Sequence, residues 1–144
     1  MEKLIVNLDA TPATPSHLQI NPEDQITSQA KGEIEWDGEK VVFHLESEQV
    51  AGGCVQGYDL KKRLMGLPVL PAATVDFLLA HPETIPESWK TKKVILFWGT
   101  FFRDVDGRGM VRGIYWWSNE RWCETWAFVS EGFDAGFGTA VLVD

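Results

Sequence analysis

Cys54 is the first residue whose type and setting could do chemistry. It lies in the glycine-rich segment Ala51-Gly52-Gly53-Cys54-Val55-Gln56-Gly57. A thiol becomes a catalytic nucleophile when a neighbouring base holds it as thiolate. The three histidines, His17, His44 and His81, are all distant from it in sequence, and no spacing marks one as its partner. Asp104-Val105-Asp106-Gly107 invites a calcium reading instead. An EF-hand loop starting at Asp104 needs oxygen ligands at its fifth and twelfth places and glycine at its sixth. Gly109 fits the sixth place, but Arg108 and Tyr115 fill the other two. The segment therefore reads as a β-turn whose glycines allow positive φ. Gly107, Gly109 and Gly113 lie between strands and lack the dinucleotide spacing. No Gly-x-Ser-x-Gly elbow, His-Glu-x-x-His pair or P-loop is present. The expectation is a protein that is not an enzyme and carries no cofactor and no metal.

Aromatic residues are the unusual feature. Trp98, Trp116, Trp117, Trp122 and Trp126, five of seven tryptophans, crowd into one stretch. In a strand over residues 121–129, Trp122, Trp126 and Phe128 share one face with Glu124 between them. Such side chains bury about 150–250 Å² each, so this face reads as core. Cys123, Thr125 and Ala127 take the opposite, outer face. Trp116 and Trp117 are adjacent and must point to opposite faces, so at least one should meet solvent or a ligand.

The elements that would position these residues can be read from pattern and punctuation. Residues 4–8 form a short strand, and Pro12, Pro15 and Pro22 make residues 9–31 irregular. Ile34 and Trp36 alternate with Glu33 and Glu35, Asp37-Gly38 supplies a type I′ turn, and residues 40–45 return. That hairpin would bury Ile34, Trp36, Val41, Phe43 and Leu45, exposing Glu33, Glu35, Lys40 and His44. Helices are expected over residues 58–65, stopped by Gly66, and over 73–80, stopped before Pro82. Lys61, Lys62 and Arg63 read as a solvated helix face. Strands over 94–103, 110–117 and 121–129 form an antiparallel meander, the second turn being Ser118-Asn119-Glu120, and a last strand covers 139–143. The fold class is α+β: a mainly antiparallel sheet with one hairpin, a C-terminal three-strand meander and two short helices on one face.

Length and charge bound the rest. The chain has 144 residues, which suits a single domain over 1–144. A net charge of −8 argues against nucleic acid as a partner, since phosphate binding wants clustered cations. No apolar run is long enough to span a bilayer, so no membrane partner is expected. The N-terminus shows no signal-peptide pattern, and Cys54 and Cys123 read as thiols of a cytoplasmic protein.

A set of segments then stands out: Val69-Leu70-Pro71-Ala72, Leu78-Leu79-Ala80-His81-Pro82, Ile85-Pro86-Glu87-Ser88-Trp89-Lys90, Phe97-Trp98-Gly99-Thr100, Arg103-Asp104, Asp106-Gly107, Tyr115-Trp116, Arg121-Trp122 and Ala140-Val141-Leu142. In this order, from about Gly32 onward, they resemble a group of short bacterial proteins with no established activity. The scatter of the group's last strand region is similar to that of retroelement-diversified variable proteins. The resemblance implies a C-type-lectin-like fold presenting its variable side chains to a ligand. The corresponding positions are Cys123, Thr125, Ala127, Ser130, Glu131, Asp134, Gly136 and Phe137. This chain departs from the asparagine-rich pattern of such segments.

The leading expectation is a non-enzymatic domain that recognises a protein or small-molecule ligand. Its surface would be the outer face of strand 121–129 plus the loop 130–138, with Cys123, Thr125, Ala127, Ser130, Glu131, Asp134 and Phe137 as ligand-binding residues. The alternatives are a small enzyme with a site in a cleft and a homo-oligomeric structural subunit.

Overall fold

A computed structural model describes residues 4–118 and 120–143. Asn119, in the middle of the expected turn 118–120, lies outside the described residues. The strands are β1 (Ile5–Asn7), β2 (Leu18–Gln19), β3 (Glu33–Glu35), β4 (Val41–His44), β5 (Val55–Gln56), β6 (Val94–Asp104), β7 (Gly109–Trp117), β8 (Arg121–Phe128), β9 (Gly132–Phe133) and β10 (Phe137–Leu142). The helices are α1 (Ser47–Val50), α2 (Gly57–Leu64) and α3 (Ala73–Ala80). The fold is α+β, and every strand pairing but one is antiparallel.

The main sheet has the order β4-β10-β6-β7-β8, with β2 added to β6. The expected meander is present as β6, β7 and β8. The last strand does not lie at an edge: β10 inserts between β4 and β6 and runs parallel to β6. β6 is apolar almost throughout and buried from Ile95 to Phe102. A strand reads that way when both of its faces are covered.

Both faces are indeed covered, which corrects the expectation of helices on one face. Ile95 and Phe97 of β6, Ile114 of β7 and Ala140 of β10 pack with Val75 and Leu78 of α3. Their alternate neighbours Leu96, Trp98, Val111 and Val141 pack with Leu60 and Leu64 of α2. The two-residue period of the strands thus sorts one sheet into two cores. A third helix was not foreseen. The four-residue α1 is held by a capping box in which Glu46 and Gln49 bond each other's backbone.

The 33–45 hairpin does not form. β3 pairs with β1, placing Ile34 opposite Val6, and β4 pairs with β10. The Asp37 carboxylate instead accepts the Glu39 N–H and caps a 3-10 turn over Gly38–Lys40. Gly38 is needed for a close approach: a Cβ there would come within 2.4 Å of Pro86. Ile34, Trp36, Val41 and Phe43 still pack on one core, brought there by separate partners. His44 is half-buried, with Nε2 2.5 Å from Glu46 Oε2, where solvent exposure was expected. Lys61 also leaves the solvated face, its ammonium lying 3.9 Å from the Phe101 ring centre.

The pairing of β6 with β7 jumps between Phe97 and Phe102. At this bulge Gly99 N–H donates to Leu70 O, and Thr100 Oγ1 accepts the Ala72 N–H at 2.8 Å. A Cβ on Gly99 would lie 2.6 Å from Pro71 N, so only glycine lets segment 69–72 dock here.

Candidate functional site

The β7–β8 hairpin carries most of the unusual residues, and its register fixes where each one points. Trp116 faces Trp122, Tyr115 faces Cys123, Ile114 faces Glu124, Gly113 faces Thr125 and Val111 faces Ala127. Directly opposed residues share a sheet face. Tyr115, Trp117, Cys123 and Thr125 therefore lie on the α2 side, and Trp116, Trp122, Glu124 and Trp126 on the α3 side.

On the α2 side the covering layer stops short of the hairpin's turn. Val111 is buried in the core beneath α2 and Ala127 packs against it, whereas Tyr115, Cys123 and Thr125 belong to no core cluster. Trp117 is 43% exposed and meets Tyr115 edge-on at 6.1 Å. Ile95 lies opposite Ile114 and Phe137 opposite Val94, so Cys123, Tyr115, Val94 and Phe137 form one row across four strands. At about 4.8 Å per strand, Phe137 sits roughly 14 Å from Cys123 on the same face.

The expected ligand-binding residues thus divide. Cys123 and Thr125, both half-buried, lie on a stretch of this face that no core cluster closes, while Ala127 and Phe137 pack against the core beneath α2. Ser130 and Glu131 are exposed at the other end of β8, about 23 Å along the strand from Cys123. The loop itself is pinned. Phe133 is buried and β9 pairs with β5, while the Asp134 carboxylate accepts the Gly136 N–H and its carbonyl accepts Gln49. Asp134 keeps its side of the loop exposed.

The opposite face holds an ionic group that the sequence did not announce. Arg112, only 4% exposed, donates from Nε to Glu124 at 2.7 Å and from Nη1 to Asp76 at 2.9 Å. Asp76 also accepts the Ala13 N–H at 2.8 Å, tying in the N-terminal segment. The one available signal was an aspartate inside the otherwise apolar helix of residues 73–80. Below this group, Trp116 and Trp122 meet at 5.4 Å and 62° as the floor of a cleft of about 380 Å³. Segment 82–90 forms its far wall, with Glu83, Glu87 and Lys90.

The other sequence candidates find structural partners. The Asp104 carboxylate accepts the N–H groups of Asp106 and Arg108 and the Arg108 Nε. Burial pushes that carboxyl up, but these donors outweigh it and hold it below the usual carboxylate range. Cys54 is an exposed free thiol, and no histidine hydrogen-bonds to it among the described residues. Among the described residues no group of three or more His, Cys, Asp or Glu is placed to hold a metal ion. No described helix is long and apolar enough to cross a membrane.

Fold and hairpin together define an α+β domain with a two-sided aromatic end. No known protein family, curated protein or solved structure matches the chain.

Proposed function

We propose that this chain is a non-enzymatic recognition domain that binds a protein or small-molecule ligand at the open end of its β7–β8 hairpin. Tyr115, Trp117, Cys123 and Thr125 form the contact face, with Phe137 at its margin. The observation that carries this reading is the exposed Trp117 set edge-on against Tyr115 beyond the last residue of the hairpin that packs on the core beneath α2. Exposed aromatics on a rigid strand offer large contact area at low entropic cost, which is why binding faces are rich in them. Two free thiols, Cys54 and Cys123, fit a reducing compartment, and we place the domain in the cytoplasm. The test is an amide-resolved NMR screen against short peptides and mono- and disaccharides. Shifts should concentrate at Tyr115, Trp117, Cys123 and Thr125 and vanish in Trp117→Ala. Ligands that consistently map elsewhere would remove this face as the site.

One observation favours a second reading, a homo-oligomer joined through β8. Val129 N–H donates to Gly109 O, so the odd-numbered residues of β8 turn their peptide groups toward β7. The even-numbered ones turn outward. Phe128 O accepts Glu131 N–H, while the backbone N–H and C=O groups of Trp122, Glu124 and Trp126 point to the free edge of the sheet. Such an edge templates pairing with a second copy. Light scattering across a concentration series separates the two readings, since a constant monomer mass excludes the oligomer.

A further inference from the structure

We infer that the cleft between segment 82–90 and the β7–β8 turn is a binding site for a methylated ammonium group. The inference goes beyond the recognition face, because Trp116 and Trp117 are neighbours that point to opposite sides of the sheet. Three observations lead to it. The Lys90 ammonium already lies 4.1 Å from the Trp116 ring centre while bonded to Glu87 at 2.9 Å. The floor of the cleft is therefore oriented for a cation, and a flexible side chain of the protein itself occupies it. An indole face attracts ammonium through its quadrupole, and quaternary ammonium groups are the ligands such faces suit best.

Charge is the second observation. Glu83, Glu87 and Glu120 line the cleft against Lys90 and Arg121, leaving one negative charge in excess. Glu120 makes no ion pair among the described residues. An anionic ligand would add to a chain already at −8. The third is backbone strain. Glu120 is the one described non-glycine residue at positive φ, at 66°. Glycine or asparagine is the ordinary occupant of that place in a three-residue hairpin loop. Strain retained at the rim of a cleft fits a side chain kept for what it binds. Trp122 closes the corner beside Trp116, leaving apolar wall for methyl groups. An entering trimethylammonium group takes the place of Lys90 over Trp116, and Lys90 swings to solvent.

The test uses choline and its uncharged isostere 3,3-dimethylbutanol, followed by the indole N–H signals of the intact protein. Choline should shift the Trp116 and Trp122 signals and bind at least about tenfold more tightly than the isostere. Lys90→Gln, which removes the internal occupant, should tighten choline binding severalfold. Glu120→Gln lies in an exposed turn and should weaken it severalfold without loss of fold. The proposal is overturned if the isostere binds as well as choline. It is equally overturned if neither the native protein nor Lys90→Gln shows shifts at these two indoles.

Discussion

Asp76 Oδ1 lies 2.9 Å from Arg112 Nη1, so the middle of α3 is bonded to the middle of β7 through a guanidinium almost wholly withdrawn from water. Breaking a buried pair leaves a charge without compensation, and this costs more than the pair itself contributes. Here only the guanidinium is buried, Asp76 being 35% exposed, and Glu124 still pairs it, so Asp76→Ala should destabilise the domain by about 1–3 kcal/mol, the cost of one unmade hydrogen bond to a buried group. Replacing the partners together, as Asp76→Leu with Arg112→Met, should cost distinctly less. Urea unfolding of the three proteins checks this. Equal losses for the single and double variants would show that packing, not charge, dominates the site.

The positive φ of Glu120 gives a prediction of opposite sign. A side chain in the left-handed region costs roughly 1–2 kcal/mol that glycine avoids, partly offset by the greater freedom of glycine in the unfolded chain. Glu120→Gly should raise stability by up to about 1 kcal/mol, measured as the shift in the denaturant midpoint. A loss of stability would mean that the Glu120 carboxylate has a structural partner after all.

The outer face of β8 should behave unevenly. Thr125 is half-buried but belongs to no core cluster, so Thr125→Asn should change stability by no more than about 1 kcal/mol. Ala127→Asn should cost about 1–3 kcal/mol, because Ala127 packs against the core beneath α2 and an amide there loses water without gaining a partner. Thermal melts of the two variants separate them. If both melt with the native protein, the open surface extends further toward α2 than the packing indicates.

Acid should act through Asp24. The hydrogen bond from Arg103 (Nε 2.7 Å and Nη2 3.1 Å from its two oxygens) holds the Asp24 carboxyl below its usual value, against the opposing pull of burial. A carboxyl with depressed folded pKa contributes its stability above the unfolded value of about 3.9 and loses it as pH falls through the lower folded value. Asp24→Asn removes that contribution. The native protein should lose stability more steeply than Asp24→Asn as pH falls from about 5 toward 2, read from urea midpoints. Parallel curves would contradict the linkage.

What was legible in the sequence was local. The meander β6-β7-β8 joins neighbours through short turns, and Pro82 ends α3 where punctuation places the stop. The alternation of Trp116 and Trp117 required nothing beyond the period of a strand. The 33–45 hairpin failed because Asp37-Gly38 specifies only a turn, while the partners of its arms come from elsewhere. β3 found β1 far upstream, and β4 found β10 nearly a hundred residues downstream. The Arg112 group was hidden for the same reason, since Asp76, Arg112 and Glu124 come from three elements that only the folded sheet brings together. The outer-face residues were identified by parity alone, which cannot say where a helix on the far side ends. That boundary falls between Thr125 and Ala127.

The position of β10 has a consequence for synthesis. β4 and β6 flank it in the sheet, yet both leave the ribosome first, β4 by about 95 residues. At roughly 5–20 residues per second the nascent chain carries β4 with an unpaired edge for about 5–20 s. For the last part of that wait, about 2–8 s, the edge of β6 that β10 will occupy is open as well. The nearest available error is for these two strands to join directly, closing the slot that belongs to β10. A chaperone that shields exposed strand edges would act on this intermediate.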